Sequence, residues 1–544
     1  MVGILLRPPE RGVNVRVALS QLSFLRASLS VTPYNVTEDN VNCDSIGTFN
    51  TIRSDDLSFV IKMCSGSKWI TPFTKQCFVT SGVSMNLMSH GLVVGFTSVL
   101  LPQLQASGFI TLDAVSGSWI ASIISIALVA GALTLPFIMN SLGRRAANII
   151  SVSFMITGWF CILFATSVAT LIIARFLQGF SMGLSASLCS VLIGEYTSPK
   201  NRGAFLTTIS FAIACGTLIT HALGSYFTWE VIALVCALIT FVNLMILIHS
   251  PESPSYLVSK GRYDECRKTF HWLRGYDEDE ELEKMIKTHM SNELKNVEKQ
   301  KIENKFQYYR KVFRKKEFYK PLILVMHLYM IGQWSGANIL AAYTQEIFHT
   351  IIGKVDVSLM IISMDIQRII SNFCAVFVIR RFRRRPMLIS TITINFLSFL
   401  TIGIYAYFKS KGLLPYDHPI IGITLIHIHM FSIATGSVPL PNIIAGEVFP
   451  LEYKGLAGTL SVLFLSSNLF ITLKCNSFFF NNLGLHGTYW LYSGMVGYSL
   501  LVSWWMLPET KDRTLQDIEE EFRGTRKGQL TDADPILNKE LMFK

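Results

Sequence analysis

Apolar positions in this chain are not spread as in a water-soluble domain; from Cys77 onward they form blocks of about 20 residues separated by short polar stretches. A block of that length spans the hydrocarbon core of a bilayer as an α-helix. The pattern predicts spans near 77–101, 118–139, 147–166, 169–193, 204–225 and 229–249. A charged interruption follows, and then spans near 320–345, 356–379, 386–407, 419–443, 455–475 and 488–507. The expected architecture is an all-α membrane protein with twelve transmembrane helices in two groups of six. Residues 1–76 are rich in Ser, Thr, Asp and Arg and lack a sustained apolar span, which predicts a disordered tail. The expected divisions are therefore 1–76, 77–250, a helical linker over 251–318, 319–507 and a tail over 508–544.

Composition agrees with this class. Half of the 544 residues are apolar and only 16% are charged, and the mean hydropathy is +0.41. A net charge of +11 would suggest nucleic acid in a soluble protein. Here the basic residues sit in alternate loops, so the partner they imply is the lipid bilayer. Arg144 and Arg145, Lys200 and Arg202, the 251–318 block and five Arg between 380 and 385 all fall on one side, whereas the loop at 102–117 has no Lys or Arg. Both termini and the central block are thus expected in the cytosol, which leaves Asn35 of "NVT" on the wrong side for glycosylation. The start "MVGILLRPPERG" has too short an apolar core for a signal peptide. The ten cysteines, Cys161, Cys189 and Cys374 among them, are scattered without a CxxC pair, so neither a disulfide framework nor a zinc site is expected.

The two groups of six repeat one another. "LGRR" (142–145), "GEYTSPKNRG" (194–203) and "PESPSYL" (251–257) follow the second, fourth and sixth spans. "FRRRP" (382–386), "GEVFPLEYKG" (446–455) and "PETKDRTL" (508–515) occupy the same places in the second group. Glu195 precedes Arg202 by seven residues, and Glu447 precedes Lys454 by seven. Parallel six-helix repeats around a site at the midplane are a transporter architecture.

At these residues the chain resembles the sugar porter branch of the major facilitator superfamily, over about residues 77–525. "RFLQGFSMG" (175–183) is similar to the family's R-F-x-x-G-x-x-x-G, "PESPSYL" to P-E-S-P-R-W-L, and "PETKDRTLQDIEEEF" (508–522) to P-E-T-K-G-R-T-L-x-x-I-E-x-x-F. "SWIAS" (118–122), "HWLRG" (271–275) and "HGTYW" (486–490) look most like insect facilitated trehalose transporters. The resemblance implies two half-bundles that rock, held shut on the cytosolic side by charge pairs at helix ends. Such pairs are worth about 1 kcal/mol each when exposed, so several bias an equilibrium without freezing it. The expected gate pairs Glu195 with Arg144, Arg145 or Arg202, and Glu447 with Arg384, Arg385 or Lys454; the alternative is that these cations only set topology. The family's acid-R-x-G-R-R has lost its leading acid in both halves and its Gly in the second, which predicts a weaker or differently wired gate.

Ionisable residues inside spans are functional candidates. Arg175 matches the family's fourth-helix Arg, which in proton-coupled relatives faces a first-helix Asp. The first span here has His90 and no carboxylate, so downhill uniport is expected, with proton symport as the alternative. Asp365 and Arg368, at i and i+3 on the eighth span, are expected to pair with each other, and Arg368 falls close to a sugar-contacting amide of the family. His427 and His429, at i and i+2, point to different helix faces and do not suggest a metal site.

The stretch "GQWSGAN" (332–338) puts Gln333, Ser335 and Asn338 inside the seventh span. Amides donate and accept together, which suits sugar hydroxyls. The family pattern Q-Q-x-S-G-x-N is met except at Gly332, which stands where a Gln is usual. On a regular helix Gln333 and Asn338 lie about 140° apart; unwinding at Gly336 is expected to bring them to one side. The alternative is packing, with Gly332 and Gly336 as a small-residue ridge. The resemblance adds Ser210, Asn442, Asn468 and Tyr343 to the pocket, of which Ser210 and Asn442 replace a Gln and a Trp, and Leu469 stands for a Trp beside Asn468. The expected function is a facilitative hexose or trehalose carrier of the plasma membrane working by alternating access, with Pro439 and Pro441 giving a flexible tenth span. A non-transporting sensor on the same fold is the competing class. No cofactor is implied, and the absence of a nucleophile–base pair argues against an enzyme.

Overall fold

Twelve runs of sequence were expected to be helical spans, and in the computed structural model helix is found at every one of them. The structure describes residues 71–523 apart from 109, 111, 300–304, 353–356, 415, 417, 451–453, 512 and 514. The expected N-terminal tail, Asn35 and the end of the C-terminal tail lie outside the described residues, except that helix already begins at Pro72.

The first group comprises α1 (Pro72–Ser107), α2 (Ala114–Ser141), α3 (Arg144–Leu163), α4 (Val168–Tyr196), α5 (Pro199–Gly224) and α6 (Trp229–Ile248). The linker carries α7 (Pro254–Ser259), α8 (Tyr263–Arg274), α9 (Asp279–Lys299) and α10 (Lys305–Arg314). The second group is α11 (Lys316–Trp334), α12 (Ala337–Ala342), α13 (Thr344–Ile352), α14 (Val357–Arg381), α15 (Arg384–Ser410), α16 (Pro419–Ser432), α17 (Pro439–Val448) and α18 (Lys454–Met506), which breaks at Gly484, before the terminal α19 (Leu515–Arg523). Nine helices among the described residues are long and apolar enough to cross a membrane. The fifth expected span has a shorter apolar part, Thr208–Gly224. The seventh is broken, and the twelfth is diluted by the Tyr, Ser and Gly residues after Gly484.

Each half has its own core. Phe96, Met155, Trp159 and Ile232 close the first, and Leu328, Phe348, Phe399 and Tyr492 the second. Lipid tails are as apolar as these side chains, so helix association in a membrane rests on close approach and interhelical hydrogen bonds. Gly179 and Gly183 of the "RFLQGFSMG" motif supply the approach. A Cβ on Gly179 would lie 2.4 Å from the Ile124 carbonyl oxygen, and one on Gly183 2.2 Å from that of Leu128. Hydrogen bonds supply the rest: Asn86 donates to Asn148 at 2.6 Å between α1 and α3, and His90 meets Ser185 at 2.5 Å between α1 and α4.

The linker helices form a small core of Leu257, Cys266, Phe270, Leu282 and Ile286. Burial pushes the Cys266 thiol up to about 11, which keeps it protonated and inert. The eight cysteines among the described residues are all free.

Two of the expected spans are interrupted. In the tenth, a π-helical turn (Ile433–Ser437) immediately precedes Pro439. The proline ring cannot sit over the carbonyl four residues back, and the wider turn relieves that clash. In the seventh, α11 ends at Trp334 and Gly336 takes φ +92°, ψ −3° before α12 resumes. That left-handed conformation is one that only Gly adopts without strain. A Cβ there would lie 2.8 Å from His429 Nε2 and 2.9 Å from Phe399 Cζ, whereas at Gly332 it would meet only the Ser437 carbonyl oxygen at 3.5 Å. The two glycines therefore do not form a ridge on one regular helix.

This difference is testable by substitution. Gly336→Ala should lower the unfolding temperature of the detergent-solubilised protein by several degrees, through about 1–2 kcal/mol of backbone strain plus the displaced ring. Gly332→Ala should leave it unchanged or raise it, because Ala is the better helix residue. Equal losses at both positions would remove the conformational reason for Gly336.

Candidate functional site

From Ile331 to Thr344 every residue is buried except Gln333 and Asn338, which are half-buried. The turn at Gly336 brings these two side chains together, and Asn338 Nδ2 donates to Gln333 Oε1 at 2.7 Å. The bond fixes the polarity of the pair. Gln333 keeps its amide N–H donors and Asn338 keeps its carbonyl oxygen, so the pair offers a donor and an acceptor side by side. The break itself is held by neighbours: Asn395 Nδ2 donates to the Ser335 carbonyl at 3.2 Å and to Ser432 Oγ at 3.1 Å, and Ser335 Oγ donates to the Gly332 carbonyl at 2.9 Å.

The other expected pocket residues divide. Asn468 is spent on structure, its Oδ1 accepting from Trp334 Nε1 at 2.9 Å and its Nδ2 donating to the Phe464 carbonyl at 2.9 Å. Tyr343 is buried and donates to the Leu473 carbonyl at 3.3 Å. Asn442 is exposed and donates to its own helix at Val438. Ser210 gives its carbonyl to Asn372 Nδ2 at 3.4 Å, a contact between α5 and α14. His427 donates to the Ile423 carbonyl at 3.0 Å, while His429 packs on Phe399 with ring centroids 4.2 Å apart.

Asp365 does not pair with Arg368. Its Oδ2 lies 2.5 Å from His221 Nδ1, on the opposite half, and both side chains are buried. His221 Nε2 is 3.3 Å from the Ala341 carbonyl, which can only accept, so Nε2 carries a hydrogen. One further proton lies between Nδ1 and Oδ2, and the pair has no net charge whichever atom holds it. Zero net charge is what a site inside a membrane tolerates. Sequence reading missed this contact because its partners are 144 residues apart; the only signal was a lone His near the end of the fifth span. A further contact joins the halves. Lys474 Nζ sits 3.9 Å over the Trp119 ring and 2.9 Å from Ser118 Oγ. Both contacts lie toward the helix ends remote from the basic loops. Arg175 is fully buried and surrounded by neutral acceptors, namely the Val93 carbonyl at 3.0 Å, Gln178 Oε1 at 3.1 Å and Thr97 Oγ1 at 3.1 Å.

On the basic-loop side each half carries the same device. Glu252 Oε1 accepts from the backbone N–H groups of Arg144, Arg145 and Ser253 at 3.0, 3.1 and 2.8 Å. Arg144 Nε lies 3.7 Å from Glu195, which also accepts from Ser253 Oγ. In the second half Glu509 accepts from the N–H groups of Arg384, Arg385 and Lys511 at 3.0, 3.3 and 3.0 Å. Arg384 lies 3.4 Å from Glu447, which accepts from Thr510 Oγ1 at 2.6 Å. Arg145 and Arg385 each donate back to a carbonyl at the end of the half's last span, Ile248 and Trp504, at 2.5 and 2.9 Å. A carboxylate over the exposed N–H groups of a helix start answers both its orphan donors and its dipole. Glu252 and Glu509 were not singled out from the sequence, although their repetition in "PES" and "PET" was visible. In both halves the carboxylate is held by backbone N–H groups, those of Arg144 and Arg145 in the first and of Arg384 and Arg385 in the second, so this contact does not need the Gly that the second motif lacks. Arg202 Nε is buried without an acceptor among the described residues, and the side chain of Lys454 lies outside them.

If the two nodes are equivalent, Glu252→Gln and Glu509→Gln should each cost about 0.5–2 kcal/mol, the range for a lost helix cap. The double variant should show additive losses in the unfolding midpoint, because the sites share no partner. A loss at one node only would break the equivalence.

Residues 63–522 match the model of the family described as sugar (and other) transporter. The facilitated trehalose transporter Tret1 of Apis mellifera ligustica is 29% identical over 465 residues, covering 83% of this chain and 89% of that protein. Tret1 of Aedes aegypti is 28% identical over 454 residues, covering 82% of this chain, which spans only 55% of that relative's length. Among solved structures, the proton:xylose symporter XylE bound to 6-bromo-6-deoxy-D-glucose superposes with a TM-score of 0.66 at 18% identity, over 83% of this chain and 100% of that one. With its repeated six-helix halves, duplicated carboxylate nodes and broken seventh span, the chain belongs to the sugar transporter family and has the major facilitator fold.

Proposed function

We propose that the protein is a facilitative carrier that moves trehalose or a hexose across the plasma membrane by alternating access, with its termini and linker in the cytosol. The observation that carries the reading is the Gln333–Asn338 pair, which offers a donor and an acceptor from an otherwise buried broken helix. A sugar hydroxyl, which both donates and accepts, is the complementary group. The Tret1 relatives are named as trehalose transporters. Each half is stitched by its own carboxylate node, and two of the polar contacts between halves, His221–Asp365 and Lys474–Ser118, lie on the opposite side, which suits two rigid bodies that rock. In this reading Arg144, Arg145, Glu195, Arg202, Arg384, Arg385, Glu447 and Lys454 act at the cytosolic gate, and Ser210, Asn442, Arg368 and Tyr343 surround the sugar path.

Downhill transport is supported by the neutral surroundings of Arg175, whose donors meet carbonyl, amide and hydroxyl oxygens rather than a carboxylate that could cycle a proton. A second reading, proton symport, is favoured by the buried His221–Asp365 pair, which shares a proton between the two halves with the Arg368 guanidinium one turn away on α14.

In proteoliposomes labelled trehalose or glucose should exchange until inside and outside concentrations are equal, with or without an imposed pH gradient. Accumulation driven by the gradient and abolished by His221→Ala would transfer the function to symport. Sugar binding with no exchange would instead make the protein a sensor. Asn338→Ala should raise the half-saturation concentration about three- to tenfold at normal surface expression, the effect of one or two lost neutral hydrogen bonds. Unaltered uptake would remove Asn338 from the sugar path.

A further inference from the structure

On the basic-loop side a cleft of about 510 Å³ lies between the end of α6 and α8. Arg145, His249, Lys268, Thr269 and Trp272 line it, together with Ile248, the last residue of α6. The cleft therefore opens where the apolar part of a span stops.

Its lining carries the cations Arg145 and Lys268. No carboxylate lines it. Glu252 and Glu265 line a neighbouring cleft and are already committed. Glu252 is held by three backbone N–H groups, and Glu265 accepts from Arg262 at 2.8 and 2.5 Å. Arg145 makes one side-chain hydrogen bond, to the Ile248 carbonyl, and its Nε is buried without an acceptor. Neither the Lys268 ammonium nor the Thr269 hydroxyl is engaged by a side-chain partner among the described residues. At the mouth, Trp272 is 38% exposed with Lys75 Nζ 5.2 Å over its ring. An amphipathic ring flanked by long cations at the end of a span is the composition of a membrane–water interface.

A planar fork, an ammonium and a hydroxyl converging on one space suit a tetrahedral anion with several acceptor oxygens. The aromatic mouth at the level of the span end suits an anion tethered to an apolar tail. We propose that this cleft binds the phosphate group of an anionic lipid headgroup at the membrane surface. A bound headgroup bridges α6 and α8 beside the Glu252 node, and so braces the linker against the first half.

The test uses the purified full-length chain and native mass spectrometry with dioleoyl phosphatidylinositol 4-phosphate, dioleoyl phosphatidylcholine and inorganic phosphate as probes. The anionic lipid should be retained at one per chain and phosphatidylcholine should not. Lys268→Glu should weaken retention about tenfold. Lys284→Glu, an exposed change on α9, should leave retention unaltered, and both variants should keep the wild-type unfolding midpoint. Equal weakening by the two variants, or equal retention of both lipids, would show only bulk surface charge and overturn the proposal. If millimolar inorganic phosphate displaces the lipid fully and Lys268→Glu abolishes phosphate binding, the source is a soluble phosphate and the lipid assignment is overturned.

Discussion

The left-handed turn at Gly336 is the constraint to which the second half is fitted. A helix broken inside a membrane leaves backbone groups that lipid cannot satisfy, so the surrounding protein must do so. Here Asn395 takes up the Ser335 carbonyl, and Leu340 N donates to the Gly336 carbonyl at 2.8 Å. Phe399 and His429 fill the space that a side chain at 336 would need. The π-helical turn at Ile433–Ser437 lies beside the same break, through Ser432 and its bond from Asn395. Of the residues from Ile331 to Thr344, only Gln333 and Asn338 are half-buried rather than buried. The turn brings those two amides together, and each keeps hydrogen-bonding capacity beyond their mutual bond.

The rest of the molecule is two copies of one device. In each, a carboxylate from the strap after the sixth span caps the third, and a Ser or Thr hydroxyl beside it holds the Glu at the end of the fourth. The device ties three helix ends into one body without joining the two bodies to each other. The halves meet elsewhere, the His221–Asp365, Lys474–Trp119 and Asn372–Ser210 contacts among them. A pair of zero net charge and a cation over a ring hold halves together without leaving an ion alone in hydrocarbon, and both can be parted without rebuilding either core.

Much of this was legible in the sequence because it is carried by local pattern. Block length placed the helices, repeated short motifs placed the halves, and Gly336 between two amides marked the break. What was illegible depends on which distant residues meet. Asp365 has an Arg one turn away, the partner local spacing favours, yet tertiary packing gives it His221. The five-Arg stretch looked like a damaged motif, but its function in the fold is borne by backbone N–H groups, which sequence change leaves in place. Asn468 matched its family position, while the structure uses its amide to hold Trp334. Identity of residue type at a motif position therefore located the neighbourhood more reliably than the contact.

The central claim is that the Gln333–Asn338 pair is where a sugar touches this protein. Its most direct test is a cryo-electron microscopy map of the full-length protein with whichever of trehalose or glucose it exchanges. The account predicts sugar hydroxyls within hydrogen-bond distance of Gln333 Nε2 and Asn338 Oδ1, with Gly336 still left-handed. Sugar density elsewhere, with the two amides bonded only to each other, would contradict it.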